Sequence, residues 1–274
     1  MSAGAREIPC LAPELADKCD GFDASAFATL HDAEAQNFWF RSRNRVLTGL
    51  VRDAKLSKDA SFLEIGCGTG FVLGHLSRRF PFHFTGSDAF MEGLLLARNR
   101  APRCAFVQLD ATRIPYVKEF DAAGAFDVIE HIDEDEAVLA GLHQSLKPGG
   151  RLFLSVPQHP LLWSEADRVA CHKRRYTRRE LLEKLHRAGF IPERVTSFVT
   201  CLLPLLAMSR VRRRASGARA ESLEDSLRAL GLLLPWWLDR ALEFAMRVDE
   251  ALIRLGVSLP AGGSLLVVAR KSAR

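Results

Sequence analysis

The sequence predicts an α/β fold in which a mostly parallel sheet carries helices on both faces. The first indication is the segment 62–70, FLEIGCGTG, where an apolar run ends in an acid and three glycines follow at alternate positions. The run is typical of a buried strand, and the segment 71–76 that follows is typical of the start of a helix. A strand, a glycine turn and a helix form the entry of a nucleotide-binding βαβ unit. The second indication is that helix patterns follow strand patterns along most of the chain, which requires a parallel sheet covered on both sides.

The remaining strands and two helices can be placed in order. Further strands are expected at residues 82–88, 104–109, 120–126, 151–156, 190–199 and 264–270. An amphipathic helix with an aromatic start is expected over 38–47. Thr177 and Glu180 have the spacing of a capping box, which predicts a helix over 181–188 that ends before Gly189.

The length and composition fit one large globular domain or a domain with an appendage. The 274 residues are 48% hydrophobic and 26% charged, and a formal net charge of +5 does not by itself indicate a nucleic-acid partner. The six cysteines form no C-x-x-C pair, so we expect neither a zinc framework nor disulfides. The N-terminus does not resemble a signal peptide, and no apolar run approaches the ~20 residues needed to span a bilayer. We therefore expect a cytoplasmic protein.

Four regions are expected along the chain. Residues 1–60 form an N-terminal helical cap, residues 61–199 form the core, and residues 260–274 add the last strand and the C-terminus. The intervening residues 200–259 are too many for a structureless loop, so they predict a helical insertion that acts as a lid.

The insertion combines apolar and basic residues. Its two apolar patches are residues 202–208 and 230–238, and Arg210, Arg212, Arg213 and Arg214 lie beside the first patch. Apolar residues, tryptophans and arginines together are typical of an interfacial element, which predicts contact with a membrane surface or a lipid-like substrate. The open alternative is that both patches pack on the sheet or on a second subunit.

The glycine spacing separates two classes of cofactor. A dinucleotide site requires G-x-G-x-x-G. Its third glycine would fall on Phe71 when counted from Gly66, and on Leu73 when counted from Gly68. The pattern is instead E-x-G-x-G-x-G, beginning at Glu64. A nicotinamide cofactor is therefore disfavoured.

Four further segments accompany this pattern. Asp88 ends the second strand, Asp110 follows the third, D-V-I-E-H-I follows the fourth at 127–132, and L-K-P-G-G precedes the fifth at 146–150. Together with the glycine turn, these ordered segments resemble the class I S-adenosylmethionine (SAM)-dependent methyltransferases. The resemblance implies a Rossmann-like sheet of seven strands in the order 3-2-1-4-5-7-6, with the seventh strand antiparallel.

The resemblance also implies that SAM is the cofactor and S-adenosylhomocysteine the product. The cofactor-binding residues that it implies are Glu64, Gly66, Cys67, Gly68, Gly70, Asp88, Ala89, Asp110, Ala111, Phe126 and Asp127. Of these, the resemblance implies that Asp88 accepts the ribose hydroxyls and that Asp110 accepts the adenine amino group. The alternative for both acids is that they cap a turn or a helix. Glu64 lies near the methionine end or, alternatively, holds the turn. Arg43 is a candidate partner of the SAM carboxylate, and a solvated arginine is the alternative.

His131 and His172 are the candidate catalytic residues. Each follows the end of a strand, where ligands bind in open α/β sheets. A neutral imidazole near pH 7 suits the removal of a proton from an attacking hydroxyl. The alternative for His131 is that it orients its own segment or packs against SAM. We expect no metal, because no set of His, Asp and Glu shows ligand spacing in the sequence and methyl transfer does not need one. A catechol-type metal site is the alternative that the sequence leaves open.

The substrate contacts are expected in the cap and after the fifth strand. The string H-K-R-R-Y-T at 172–177 resembles H-x-R-x-[YF]-[TS] in a bacterial subgroup of these enzymes. The candidate substrate contacts are Trp39, Trp163, Asp167, Arg174 and Tyr176. The alternatives are that Trp39 merely seals the end of the sheet and that the 163–177 segment is a charged loop with solvated arginines.

The expected function is transfer of a methyl group to a small molecule, with O-methylation of a lipophilic, glycan-linked or secondary-metabolite acceptor favoured. An RNA or protein methyltransferase is one alternative, although no N-P-P-[YF] string follows the fourth strand and no nucleic-acid-binding module is visible. A non-enzymatic SAM-fold scaffold is the other, although a scaffold would not require the glycine motif and its acids.

Overall fold

The sheet has the strand order that the sequence predicts. The computed structural model describes residues 7–16, 26–216, 231 and 234–272. Within them the strands pair in the order β3-β2-β1-β4-β5-β7-β6. The strands are β1 (Ser61–Ile65), β2 (His83–Asp88), β3 (Ala105–Gln108), β4 (Phe120–Phe126), β5 (Leu146–Pro157), β6 (Phe190–Phe198) and β7 (Ser264–Lys271).

The pairing directions are also as expected. Strands β1 to β5 pair in parallel, whereas β7 runs antiparallel to both of its neighbours, β5 and β6. The carboxyl ends of the parallel strands therefore meet at one edge of the sheet, where open α/β sheets bind their ligands.

Helices cover both faces of the sheet. The α-helices are α1 (Ala26–Glu34), α2 (Phe38–Asp53), α3 (Phe71–Ser77), α4 (Met91–Arg100), α5 (Asp135–Ser145), α6 (Glu165–Val169), α7 (Arg178–Arg187), α8 (Leu203–Ser216) and α9 (Trp236–Arg254). Short 3-10 helices occur at Pro13–Leu15, Ile129–His131 and Pro160–Leu162.

Two hydrophobic cores result from this arrangement. One core lies under α2, α3, α4 and α9, and the other lies under α5 and α7. Alternate residues of β1 serve the two cores, since Phe62 belongs to the first, and Leu63 and Ile65 belong to the second. Glu64 therefore shares the face of Phe62 at the carboxyl end of the strand, where the sheet meets the glycine turn.

Several boundaries differ from the sequence prediction. The helix expected to end at residue 47 continues to Asp53, because Leu50 and Val51 extend its buried side. It begins after Asn37, whose Oδ1 accepts a hydrogen bond from the backbone N–H of Trp39 at 2.9 Å. Strand β5 starts at Leu146, so the L-K-P-G-G string lies in the strand, with Gly149 at a φ of +76°.

The capping box after β5 is only half formed where it was predicted. Thr177 Oγ1 accepts a hydrogen bond from the N–H of Glu180 at 3.1 Å. A complete capping box instead begins α6, where the Ser164 side chain and Asp167 exchange hydrogen bonds with each other's backbone. The sequence analysis did not recognise this second box.

The insertion between β6 and β7 is helical and packs on the cap. Arg41 and Arg45 of α2 form ion pairs with Glu243 of α9 at 2.7 Å each. Burial alone would raise the pKa of Glu243, but the hydrogen bonds and charges of the two arginines bring it to about 2. This buried charge network joins two helices that are about two hundred residues apart in the sequence.

Part of the predicted insertion lies outside the described residues. This applies to Leu232 and Leu233 of the second apolar patch and to the side chains of Arg212, Arg213 and Arg214. Among the residues that the structure does describe, no helix is both long enough and apolar enough to cross a bilayer.

Candidate active site

A large cavity opens at the carboxyl edge of the parallel strands. Its volume is about 1360 Å³, which exceeds the ~300–1,000 Å³ typical of a site for one drug-sized ligand. The glycine turn and the ends of β1, β2 and β4 form its floor, and α1, α2 and the insertion cover it. The cavity is therefore large enough for two ligands side by side.

The three glycines of the turn have different roles. All three have positive φ, at +66° for Gly66, +51° for Gly68 and +73° for Gly70. A Cβ on Gly66 would lie 2.5 Å from a Val128 methyl, and one on Gly70 would lie 2.8 Å from the Ala97 Cβ. A Cβ on Gly68 would meet only a Phe27 ring carbon, at 3.6 Å. Gly66 and Gly70 thus allow close packing of the protein on itself, whereas Gly68 keeps space open in the cavity.

Asp88 is fixed by the turn that it faces. Its Oδ2 accepts the N–H of Gly68 at 2.7 Å, and its Oδ1 accepts the N–H of Phe90 at 3.0 Å. Burial raises the pKa of Asp88, and these backbone hydrogen bonds oppose the rise. Because each carboxylate oxygen has two lone pairs, both oxygens can still accept a hydroxyl from the cavity.

Glu64 has an unusual environment beneath the turn. It is buried, and its Oε2 has no hydrogen-bond partner within the described part of the chain. Burial raises its pKa to about 8, and the nearby positive charge of Arg43 opposes this only partly. A buried carboxyl group without a partner is costly, so Glu64 is suited to hydrogen-bond a ligand in the cavity that it lines.

Arg43 connects the cap to the end of β4. Its Nη1 donates to Asp127 Oδ2 at 2.7 Å, and Asp127 Oδ2 also accepts from Ser155 Oγ at 3.0 Å. The guanidinium carbon lies 4.7 Å from the centroid of the Trp39 ring. The Nε of Arg43 has no partner in the described residues, although it is buried. The Nη1 of Arg43 is therefore hydrogen-bonded within the protein, whereas its Nε is left to hydrogen-bond a ligand.

The other cofactor residues also lie around the cavity. Asp110 Oδ1 accepts the backbone N–H and the hydroxyl of Thr112 at 2.8 and 2.7 Å, which fixes its carboxylate at the end of β3. Further lining residues that were expected are Cys67, Ala89, Ala111 and Phe126. Gly70 is not part of the lining, which agrees with its packing role against Ala97.

A clamp between α1 and the glycine turn was missed by the sequence analysis. Thr69 Oγ1 donates to Glu34 Oε2 at 2.6 Å, and Arg100 binds both side chains. Phe27, from the same helix, lies over the turn and contacts the Phe90 ring edge-on at 5.5 Å. This clamp holds the cap over the cavity. No local pattern could reveal it, because its members belong to three separate elements.

A second cluster of polar side chains lies beyond the end of β4. Glu130, His131 and His172 line the cavity together, and the rings of the two histidines meet edge-on with their centroids 4.7 Å apart. Burial lowers the pKa of His131 to about 3, and His172 adds to this effect. Burial also raises the pKa of Glu130 well above its usual value, and the charge of Asp127 contributes.

Asp167 holds His172 in position. The Nδ1 of His172 lies 3.0 Å from Asp167 Oδ1, and the same oxygen accepts Arg175 Nε at 2.7 Å. Asp167 Oδ2 accepts the N–H and hydroxyl of Ser164. Burial alone would raise the pKa of Asp167, but His172 and Arg175 hold it at about 2. The carboxylate is thus ionised and fixed, and it leaves the Nε2 of His172 as the free ring nitrogen.

Comparison with known proteins decides the family. A family model described as a methyltransferase domain matches residues 31–194, which is more than half of the chain. The chain belongs to this methyltransferase family. It is a SAM-dependent methyltransferase, and the class suggested by the glycine motif is confirmed.

Individual relatives agree with this assignment. The ubiquinone biosynthesis O-methyltransferase of Xylella fastidiosa strain M23 is 32% identical over 104 residues, covering 35% of this chain and 41% of that protein. The chain thus matches about two fifths of the length of this curated relative. Phosphoethanolamine N-methyltransferase 2 of Haemonchus contortus, solved with SAM, has a TM-score of 0.56 at 19% identity, covering 84% of this chain and 52% of that one. A SAM-dependent methyltransferase of Thermotoga maritima has a TM-score of 0.54 at 15% identity, covering 90% and 95%. These structural matches establish the fold.

The cavity of the methyltransferase fits SAM as its cofactor. A side chain at position 68 would occupy the space that Gly68 leaves open in the cavity. Glu64 and Arg43, which each have an unpartnered polar atom among the described residues, line the same cavity. SAM carries a hydroxylated ribose, a carboxylate and an ammonium group, which need donors and acceptors of these kinds. The donor set and the shape of the cavity therefore suit the cofactor that the family uses.

Three expected substrate contacts of the methyltransferase lie away from the cavity. Tyr176 has no exposed surface, and its hydroxyl donates to Asp135 Oδ2 at 2.7 Å and contacts the carbonyl of Ile129 at 3.2 Å. Arg174 pairs with Asp135 at 3.1 Å. Trp163 follows the 3-10 helix at Pro160–Leu162 and is not part of the lining. The structure thus places Tyr176, Arg174 and Trp163 outside the cavity lining, whereas Trp39 and Asp167 are part of it.

Within the described residues, the fold nevertheless brings one set of possible metal ligands together. Glu130, His131 and His172 each offer one ligand atom, and these atoms all lie within 4.8 Å of one another. The set is not visible in the sequence, because His172 is far from the other two residues along the chain. The fold brings them together through a hydrogen bond of 2.7 Å from the N–H of Lys173 to the carbonyl of Glu130.

Proposed function

We propose that this methyltransferase methylates a hydroxyl group of a lipophilic small molecule. The observation that carries the proposal is that Glu130, His131 and the Asp167-bound His172 line the same cavity as the cofactor residues Gly68 and Asp88. A hydroxyl acceptor must lose its proton as it attacks, and this cluster provides nitrogen and oxygen acceptors where that loss would occur.

The proposed cofactor site uses the residues of the turn and its neighbours. SAM, when bound, supplies a methyl group on a positively charged sulfur. Asp88 accepts the ribose hydroxyls and Asp110 accepts the adenine amino group. Glu64 and Arg43 bind the methionine end through the atoms that have no partner in the protein. Phe126 and Asp127 form the wall at the end of β4 and keep water from the reacting groups.

His172 is the member of the cluster best placed to accept a proton. Asp167 binds its Nδ1, which fixes the ring and stabilises the imidazolium that proton uptake would form. His131 packs edge-on against this ring and confines the acceptor's approach. Asp167, Arg175 and Ser164 act as positioning residues in this proposal, because they work through His172.

The apolar side chains of the insertion favour a lipophilic acceptor. Leucines from the insertion line the cavity, and they are Leu202, Leu205, Leu206, Leu234, Leu238 and Leu242. Apolar walls bind the lipophilic part of a substrate, while a few polar groups orient its reacting end. The name of the Xylella relative, an O-methyltransferase of ubiquinone biosynthesis, also favours oxygen as the methylated atom.

A methyl-transfer screen tests this proposal. The purified protein is incubated with isotopically labelled SAM and with separate metabolite, lipid, RNA and protein fractions, and products are analysed by mass spectrometry. We expect label in the lipid or metabolite fraction, at an oxygen atom, and a loss of turnover of about 10²–10⁴-fold in His172→Gln with little change in S-adenosylhomocysteine affinity. Label mainly in RNA or protein would support the alternative class. Tight SAM binding without transfer to any fraction would support a scaffold.

We also propose that α9 contacts an anionic membrane surface from the cytoplasmic side. The outer face of this helix exposes Trp237, Phe244 and Val248, of which Phe244 is 80% exposed. Arg240 and Arg247 lie on the same face and are 71% and 52% exposed. Tryptophan and arginine beside exposed apolar residues are typical of helices that lie in a membrane interface.

Liposome flotation tests the membrane contact. We expect the protein to float with vesicles that contain anionic lipid and to stay in solution with neutral vesicles. Phe244→Ser should abolish flotation, whereas Val117→Ser, at an exposed apolar residue far from α9, should not. Equal recovery of wild type and Phe244→Ser with anionic vesicles would refute the assignment. A dimer that is lost in Phe244→Ser would assign this face to a second copy of the chain.

A further inference from the structure

The Glu130–His131–His172 cluster has the composition of a metal site. One carboxylate and two imidazoles are brought together from two loops, and their ligand atoms lie within 4.8 Å of one another. The cluster lines the cavity, so an ion there would be reachable by a substrate. Among catalytic zinc sites, two histidines and one glutamate with an open position form a recurrent set.

The carboxylate of Glu130 points to a missing partner. Its side chain has no exposed surface, and neither Oε1 nor Oε2 has a hydrogen-bond partner in the described residues. Buried carboxylates are nearly always hydrogen-bonded, paired or bound to a metal, because an isolated one is costly to bury. Arg175 and Arg43 influence Glu130 only through their charge, and Arg175 is hydrogen-bonded to Asp167. A cation in the cluster would satisfy both oxygens.

Both histidines are oriented as metal ligands commonly are. His172 has its Nδ1 bound to Asp167 at 3.0 Å, and His131 is hydrogen-bonded to the backbone of Cys171 and Ala170. His172 thus has one ring nitrogen engaged and one left for a ligand, and His131 also offers one ligand atom to the cluster. Metal-bound histidines almost always hydrogen-bond through their other nitrogen to a carboxylate or a backbone carbonyl, which fixes the tautomer.

The loop that carries His172 is itself held against Glu130. Cys171 adopts a φ of +57°, which turns the chain at the end of α6. The N–H of His172 donates to the carbonyl of Asp167 at 2.8 Å, and the N–H of Lys173 donates to the carbonyl of Glu130 at 2.7 Å. These two hydrogen bonds fix the residues that follow Cys171. The ligand atoms are therefore positioned by backbone geometry before any ion binds.

We propose that Glu130, His131 and His172 bind one divalent first-row transition ion. Imidazole nitrogens favour Zn²⁺, Fe²⁺ and Co²⁺ over Mg²⁺ and Ca²⁺, which prefer sites made only of oxygen. Three protein ligands leave at least one coordination position open towards the cavity.

The role of the ion follows if the proposed O-methylation is correct. The acceptor oxygen takes the open position, and its hydroxyl loses a proton to water because coordination lowers the pKa of the hydroxyl. The resulting alkoxide or phenoxide forms an O–CH₃ bond, and the S–CH₃ bond breaks with its electron pair left on sulfur. In this form of the site His172 is a ligand, and water replaces it as the proton acceptor.

Cobalt titration tests binding without reference to activity. The protein is treated with a chelator, dialysed, and titrated with Co²⁺ while visible absorption is recorded. We expect saturation at one ion per chain and visible bands of a site with low coordination number. Glu130→Gln and His172→Gln should weaken Co²⁺ binding by about 100-fold or more, and Asp167→Asn, which acts through His172, by about 10–100-fold. His83→Gln, at an exposed histidine at the start of β2, should bind as wild type does.

Two results would overturn the metal site. One is a wild-type protein without saturable Co²⁺ absorption, and the other is unchanged Co²⁺ binding in both Glu130→Gln and His172→Gln. Affinity for S-adenosylhomocysteine, measured on each variant, shows whether the fold and the cofactor site are intact. Methyl transfer that persists after removal of metal would retain the proposed function and refute the catalytic role of the ion. Co²⁺ binding without methyl transfer to any acceptor fraction would retain the metal site and refute the proposed function.

Discussion

Substitution of Gly70 by alanine should destabilise the protein through contact with α4. Gly70 has a φ of +73°, and a Cβ there would lie 2.8 Å from the Cβ of Ala97 and 2.9 Å from its Cα. The Cα belongs to a helix backbone, which cannot move without shifting α4. The left-handed conformation costs an alanine about 1–2 kcal/mol, and overpacking adds about 1–3 kcal/mol. We therefore expect Gly70→Ala to lower the free energy of unfolding by about 2–5 kcal/mol.

Alanine substitutions at two other glycines separate the conformational cost of Gly70→Ala from its overpacking cost. Gly149 has a similar φ of +76°, but a Cβ there would meet nothing within 4 Å, so Gly149→Ala should cost only the conformational ~1–2 kcal/mol. Gly68→Ala should cost a similar amount of stability, since its Cβ would be 3.6 Å from Phe27. It should, however, weaken binding of S-adenosylhomocysteine, because the methyl group enters the cavity.

Urea denaturation and calorimetry measure these effects. The midpoint and slope of unfolding give the free energy for each variant, and titration with S-adenosylhomocysteine gives the affinity. Equal destabilisation in Gly70→Ala and Gly149→Ala would show that the Ala97 contact is unimportant. An unchanged affinity in Gly68→Ala would contradict the assignment of the space above Gly68 to the cofactor.

Three further predictions concern single side chains. Asp88→Ala should weaken S-adenosylhomocysteine by about 2 kcal/mol in calorimetry, because the ribose loses a charged acceptor, while Asp59→Ala at an exposed carboxylate should not. The pKa of the Glu64 carboxyl is about 8 in the folded protein and near 4.5 in the unfolded chain. Its contribution to the free energy of unfolding is therefore complete below pH 4.5. The contribution falls as the pH rises from 4.5 to 8, because unfolding then releases a proton. Glu64→Gln should therefore reduce the pH dependence of the unfolding free energy by up to about 1.4 kcal/mol per pH unit, and an unchanged slope would refute the raised pKa. Tyr176→Phe should cost about 1.5–3 kcal/mol in urea unfolding, because it removes a buried hydrogen bond to Asp135, while the affinity for S-adenosylhomocysteine stays constant. A large loss of that affinity would show that Tyr176 acts on the cofactor site.

The sequence predicted the sheet well because strands leave local signals. Buried parallel strands are continuous apolar runs, and β4 was placed at its observed bounds, Phe120–Phe126. The strand order, in contrast, came from the resemblance to a family rather than from any local pattern. The predicted boundaries were wrong where tertiary contacts extend an element. Helix α2, for example, continues to Asp53 because its buried side extends beyond residue 47.

The sequence indicated candidate site residues only where they lie at or just after the end of a strand. Asp88 ends β2 and Asp110 follows β3, and the topology places both on the cavity. The string around Tyr176 gave no indication that its side chain is buried and donates a hydrogen bond to Asp135. The Glu34 clamp and the Glu130 cluster were invisible because their members are far apart along the chain and meet only in the folded protein.

A crystal structure with bound S-adenosylhomocysteine tests the central claim most directly. The claim is that one cavity holds the cofactor on Gly68 and Asp88 and presents its sulfur to the Glu130–His131–His172 cluster. We predict that the ribose hydroxyls will bind Asp88, that the adenine will lie at Asp110, and that the sulfur will face His172. A ligand whose sulfur faces away from the cluster, or one bound outside this cavity, would contradict the account.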